Sequence, residues 1–123
     1  MFNEKFNDVL AHEGVVAIVS CANNEAHVVN TWNSYLRKSG EDKLLIPAFG
    51  MRKTEKNVTE NPQILLTLGS KEVMGYKTMG TGFLVSGTAK YLASGPEFDL
   101  MKASYSWANR VLEVTVTSVK QTI

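Results

Sequence analysis

The stretch His27-Val28-Val29-Asn30-Thr31-Trp32-Asn33-Ser34-Tyr35-Leu36 sets amides, hydroxyls and aromatic rings inside a β-branched run. Such a run favours a strand, and alternation would place Asn30, Trp32 and Ser34 on one face and Thr31, Asn33 and Tyr35 on the other. A strand facing bulk water would carry Lys, Glu or Thr on its wet side. Rings supply stacking area, while amides and hydroxyls read a carbonyl and nitrogen edge, so the combination suits a flat aromatic ligand with a polar rim. The competing reading is a barrel strand whose polar groups meet neighbouring loops.

The second chemically suggestive stretch is Phe49-Gly50-Met51-Arg52-Lys53-Thr54. Thr54 is expected to cap a short helix that ends before Asn61-Pro62. A helix start offers unpaired N–H groups and a positive dipole end, and here Arg52 and Lys53 stand beside it, a combination suited to phosphate. Gly50 would let the backbone approach a ligand closely. Alternatively, the two cations are solvated charges next to a capped helix.

Other chemistries lack their patterns. His12, Cys21 and His27 match no zinc spacing, and no CxxC or HExxH occurs, so no metal is expected. Cys21 closes an apolar run and reads as a buried small hydrophobe. Ser86 lacks the GxSxG of a nucleophile elbow, and Glu13 at a helix end reads as solvated. Gly80-Thr81-Gly82 lacks the third glycine and the helix of a dinucleotide fingerprint, and no P-loop is present. A binding site is better supported than a self-sufficient catalytic one.

The elements that must position these residues fit a single domain over residues 1–123. A formal charge of +1 with no basic stripe gives no reason to expect nucleic acid, and no apolar run is long enough to span a membrane. A lone cysteine and the absence of a signal-peptide pattern make the cytoplasm the default, and Asn57-Val58-Thr59 then reads as a chance sequon. Helical spacing of Phe2, Phe6, Val9 and Leu10 predicts a helix over 2–12, ended by Gly14. Strands are expected at 15–21, at 27–36 after an Asn23-Asn24 hairpin, at 43–47, 63–68, 80–92 and 111–119, with a turn at 69–72 and irregular chain over 73–80. A helix is expected over 97–109 after Pro96. Strands outnumber helices, so the fold class is mainly β: a small antiparallel barrel with two or three peripheral helices, its ligand outside or between two copies.

HVVNTWNSYL, FGMRKTEKNV, LLTLGSKEV, GTGFLVSG, GPEF and the terminal QTI together resemble the small bacterial FMN-binding proteins of the pyridoxamine-phosphate-oxidase-like split-barrel superfamily, nearly end to end. The resemblance implies a split antiparallel β-barrel of Greek-key type and a homodimer with one FMN per subunit, held non-covalently near the interface. By position it implies that Asn30, Thr31 and Trp32 line the flavin site, with Tyr35 a neighbouring ring, and that Lys53 and Thr54 hold phosphate. Pro47, Phe49 and Gly50 would run along the ring edge, while Trp107 and Ile123 would reach the flavin from the partner subunit. Where those proteins tend to have Gly-Gly before the methionine, this chain has Phe49-Gly50, and a left-handed backbone at Phe49 would be costly.

Enclosure by Trp32, Tyr35 and Trp107, with apolar Ile123 over one side, would disfavour negative charge on the ring and lower its potential. The implied activity is electron transfer or flavin-dependent reduction. Storage or delivery of FMN without turnover, oxidation of pyridoxamine phosphate and a ligand-free interaction barrel are the alternatives. The oxidase is disfavoured because no second phosphate cluster accompanies the first.

Overall fold

The computed structural model describes residues 1–123. Seven strands form one antiparallel sheet, β1 (Val15–Ala22), β2 (Glu25–Trp32), β3 (Arg37–Ser39), β4 (Lys43–Ala48), β5 (Gln63–Met74), β6 (Met79–Leu92) and β7 (Arg110–Gln121). Helices α1 (Glu4–Leu10), α2 (Arg52–Glu60) and α3 (Pro96–Ser104) lie outside the sheet in sequence order before β1, after β4 and after β6.

The hairpin between β1 and β2 turns on Asn23 and Asn24, both with positive φ as a tight right-twisted turn requires. The strand order β2-β1-β5-β6-β7-β4-β3 makes β2 and β3 the free edges, and β7 returns to pair with β4 in Greek-key fashion. Those two edges are joined by a single 3-10 turn, Asn33–Tyr35, so the sheet curls until its ends meet there. The split of the barrel runs from this turn along β2 on one lip and β4 on the other. β3 pairs with β4 only as far as Leu45, which leaves Ile46 to Ala48 without a neighbour on that side.

Inward alternation builds the core. Val16, Ile18, Leu66, Leu68, Phe83, Val85, Leu112 and Val114 fill the interior, plugged at one end by Phe6 and Val9 of α1. The Phe6 ring meets Phe83 edge to face at 5.3 Å. A smaller cluster of Leu45, Met101 and Val111 seats α3 on the outside.

Several expectations change. The strand from His27 ends at Trp32, because Asn33 turns inward and its Nδ2 donates to the carbonyls of Val9, His12 and Gly69 at 3.3, 3.0 and 2.9 Å. The first helix ends at Leu10, four residues before Gly14. Gly14 is instead needed for close approach, since a Cβ there would overlap the Gly69 carbonyl. The expected turn at 69–72 is strand, with a register irregularity between Ser70 and Met74, and the chain reverses at 75–78. The helix expected to reach 109 stops at Ser104. Cys21 is exposed, because alternation in β1 turns Ser20 inward and Cys21 out. Asn57 of the sequon is buried and donates to Ser20 Oγ at 3.1 Å.

Asn33 therefore ties α1, the loop before β1, and β5 to the turn that closes the sheet. Asn33→Ala removes these three bonds in a buried site and is expected to cost about 2–4 kcal/mol in urea denaturation. A loss below about 0.5 kcal/mol would show that the turn closes without this amide.

Candidate functional site

The two lips of the split carry most of the residues singled out from the sequence. On β2, Asn30 and Trp32 face outward and Thr31 inward, with Trp32 45% exposed and Thr31 buried. Asn30 Nδ2 reaches Val16 O at 3.4 Å. Tyr35 follows in the 3-10 turn. On the other lip, Pro47 is buried in β4, Phe49 is exposed, and Gly50 leads into α2 with Lys53 exposed and Thr54 fully buried.

The segment after α3 joins both lips. Tyr105 Oη donates to Ser34 O at 3.0 Å, and Asn109 N donates to Ala48 O at 3.0 Å. Trp107 lies between these anchors, its ring 5.5 Å from Tyr35 and 5.8 Å from Tyr105, while Tyr35 and Tyr105 are 5.1 Å apart. Trp107 thus meets Tyr35 within one chain and needs no second subunit to join that cluster. Ile123 is elsewhere. Its carbonyl accepts from Thr81 Oγ1 at 2.8 Å and Gln121 Nε2 at 2.9 Å, and it lines a cleft of about 430 Å³ with Tyr76, Lys77, Thr78, Met79 and Gly80. Four strand steps separate β2 from β7, roughly 19 Å at the usual spacing.

The start of α2 differs from the expected cap. Gly50 and Met51 both take left-handed φ, 74° and 53°, so the helix begins at Arg52 and Thr54 lies inside its first turn. Phe49 is spared the left-handed backbone. No side chain caps this helix, and the first backbone bond is Glu55 N to Met51 O at 2.9 Å. The N–H groups before Glu55 are open donors, Lys53 stands among them, and the buried Thr54 Oγ1 has no partner at all. Arg52 is committed to Glu55, 3.3 Å away.

Two groups near the lips have displaced ionisation. The Ser34 hydroxyl, donating to Glu13 Oε2 at 2.7 Å, holds the Glu13 carboxyl below its ordinary range despite some desolvation. This contact is present at neutral pH and is lost only as pH falls through the lowered value. Burial raises the Tyr91 hydroxyl well above its ordinary range, with Arg110 opposing and Glu55 reinforcing. Sequence reasoning missed Arg110, Glu55 and Tyr91, which lie in different elements and share no motif. It also placed Tyr105 inside the helix expected over 97–109, whereas that residue lies just past the helix end.

The family described as pyridoxamine 5'-phosphate oxidase matches residues 2–123. This chain belongs to that family. Over 118 residues it is 45% identical to the FMN-binding protein of Nitratidesulfovibrio vulgaris (strain DSM 19637 / Miyazaki F), covering 96% of each chain. Among solved structures, Group A Streptococcus HupZ superposes with a TM-score of 0.81 at 14% identity, over 98% of this chain and 94% of that one. An FMN-binding protein from Syntrophomonas wolfei subsp. wolfei gives 0.77 at 17% identity, over 98% and 85%. These superpositions show that the family's barrel is shared. No helix is long and apolar enough to cross a membrane.

The unpartnered Thr54 hydroxyl adds nothing to the free fold. Thr54→Val removes an unsatisfied buried group at nearly constant volume, so the ligand-free protein should be equally stable or gain up to about 1 kcal/mol in thermal or urea unfolding. A loss of more than about 1 kcal/mol would mean that the hydroxyl already has a structural role.

Proposed function

We propose that the split holds FMN non-covalently, with the phosphate at the start of α2 and the ring among Trp32, Tyr35 and Trp107, and that the protein is a flavoprotein of electron transfer or flavin-dependent reduction. The observation that carries this reading is the uncapped first turn of α2, where open N–H groups, Lys53 and the unpartnered Thr54 hydroxyl come together. The donor set fits a phosphate dianion, and the likeness to a relative called an FMN-binding protein supports the same choice. Bound flavin supplies the redox chemistry. The chain supplies position and surroundings. Asn30 and the backbone of Thr31 would read the polar rim of the ring, the aromatic cluster would exclude water from its face, and Pro47, Phe49 and Gly50 would follow its edge.

A homodimer completes the site in this reading. Three successive rows across the outer face of β2, β1, β5 and β6 carry no charge: Trp32 and Val15 lead to Gly69 and Gly82, Asn30 and Ala17 to Thr67 and Leu84, and Val28 and Val19 to Leu65 and Ser86. Val15, Val28, Trp32 and Leu65 are each more than 40% exposed on it. A contiguous uncharged face of this kind marks an association surface. The row that starts at Trp32 ends at Thr122, whose N–H bonds Gly82 O. A two-fold axis parallel to the strands would lay the β7 end of one chain over the β2 edge of the other. Ile123 of the partner subunit would then cover the ring beside Trp32.

Lys53→Ala tests the phosphate seat. It should weaken FMN by about tenfold and riboflavin by less than about twofold, because only FMN carries the phosphate that a charge-assisted contact would hold. Fluorescence titration of the flavin-free protein reads both. Equal losses would place the phosphate elsewhere.

A further inference from the structure

Arg110 opens β7 with a charge that water scarcely reaches, its side chain being 8% exposed. Nη2 donates to the Gly50 carbonyl, Nη1 donates to Asn109 Oδ1 at 2.6 Å, and Nε lies 3.0 Å from Glu55 Oε1. The guanidinium carbon stands 5.2 Å from the centroid of the Tyr91 ring, and the Tyr91 hydroxyl is 3.7 Å from the Met51 sulfur. Gly50, Met51 and Glu55 are therefore each tied to Arg110, directly or through Tyr91.

These positions form the turn that starts α2, and the turn needs such ties. Gly50 and Met51 are both left-handed, a conformation that a residue with a Cβ resists. No side-chain cap holds the helix end in register. Arg110 meets the turn at two points at once, the carbonyl between the two left-handed residues and the carboxylate after them.

We propose that Arg110 is a positioning residue for the phosphate seat, holding the turn from Gly50 to Glu55 in the shape that presents the open N–H groups and Lys53 to the phosphate. The inference rests on the reading of the split as an FMN site. Arg110 lies buried behind the turn against the Glu55 carboxylate, which it shares with Arg52, so it acts through the shape of the turn rather than by touching the ligand. The planar fork is essential to that role. A lysine ammonium keeps the charge but cannot hold the Gly50 carbonyl and Asn109 Oδ1 with separate, fixed donors while it faces the Glu55 carboxylate.

Arg110→Lys in the full chain, with FMN and riboflavin titrated separately and circular dichroism recorded alongside, tests the proposal. The expected result is a native spectrum with the preference for FMN over riboflavin reduced about tenfold, the size of a lost charge-assisted bond. Glu55→Gln separates shape from charge. It makes the seat more positive, so plain attraction raises the FMN preference, whereas a loosened turn lowers it. This variant also decides the matter if Arg110→Lys does not fold, since Glu55 is 30% exposed. A retained preference in a folded Arg110→Lys, a retained or raised preference in Glu55→Gln, or an equal loss for both flavins would overturn the positioning role. If the unaltered protein itself binds FMN no more tightly than riboflavin, the phosphate seat fails, and that outcome is distinct from a preference that both variants keep.

Discussion

The barrel depends on one closure: the two free edges of a seven-stranded sheet are joined by a turn of three residues at Asn33. A chain that short forces the edges together. The sheet then curls, and its inward side chains enclose the interior against α1. Beyond the turn, β2 and the end of β4 both keep an unpaired backbone edge, and these are the lips of the slot proposed for the ligand. Closure and slot are thus one constraint seen at two ends. The same Asn33 amide that bridges α1, the loop before β1, and β5 also fixes where Trp32 ends its strand and where Tyr35 must stand.

The slot is equipped unevenly along its length. At the Asn33 end, three rings pack within 5.8 Å of one another, anchored by the Tyr105 hydroxyl on Ser34. At the α2 end, cations and open N–H groups gather around a turn braced from behind by buried Arg110 and half-buried Glu55. A pair of this kind adds little to stability, because desolvation of the guanidinium offsets attraction, and its value lies in the geometry it imposes. An aromatic end joined to an anion-seeking end matches a ligand that is itself a flat ring on a phosphorylated chain. The three uncharged rows on the outer sheet face are where the proposed second copy would lie.

Much of this was legible in the sequence because local chemistry carried it. Asn23-Asn24 between two β-branched runs announced the hairpin, Pro96 announced a helix start, and the polar, aromatic run through Trp32 marked one lip. Long-range interactions decided the rest. Asn33 left the strand pattern because three carbonyls from distant segments claimed its amide, and Gly69 stayed in β5 because a neighbouring strand came too close for a side chain. Thr54 resembled a cap, yet the left-handed pair at Gly50 and Met51 started the helix earlier. Arg110 gave no signal, since apart from Asn109 its partners Tyr91, Glu55 and Gly50 are distant in sequence and only folding unites them.

The most direct test of the account is sedimentation velocity of the freshly purified protein, followed at once in the ultraviolet and at the visible band of the flavin. The account predicts a visible boundary that moves with a particle of twice the chain mass and carries one FMN per chain. A colourless dimer, or flavin that sediments apart from the protein, would contradict it. Flavin carried by a single chain would keep the slot and remove the partner's Ile123 from it.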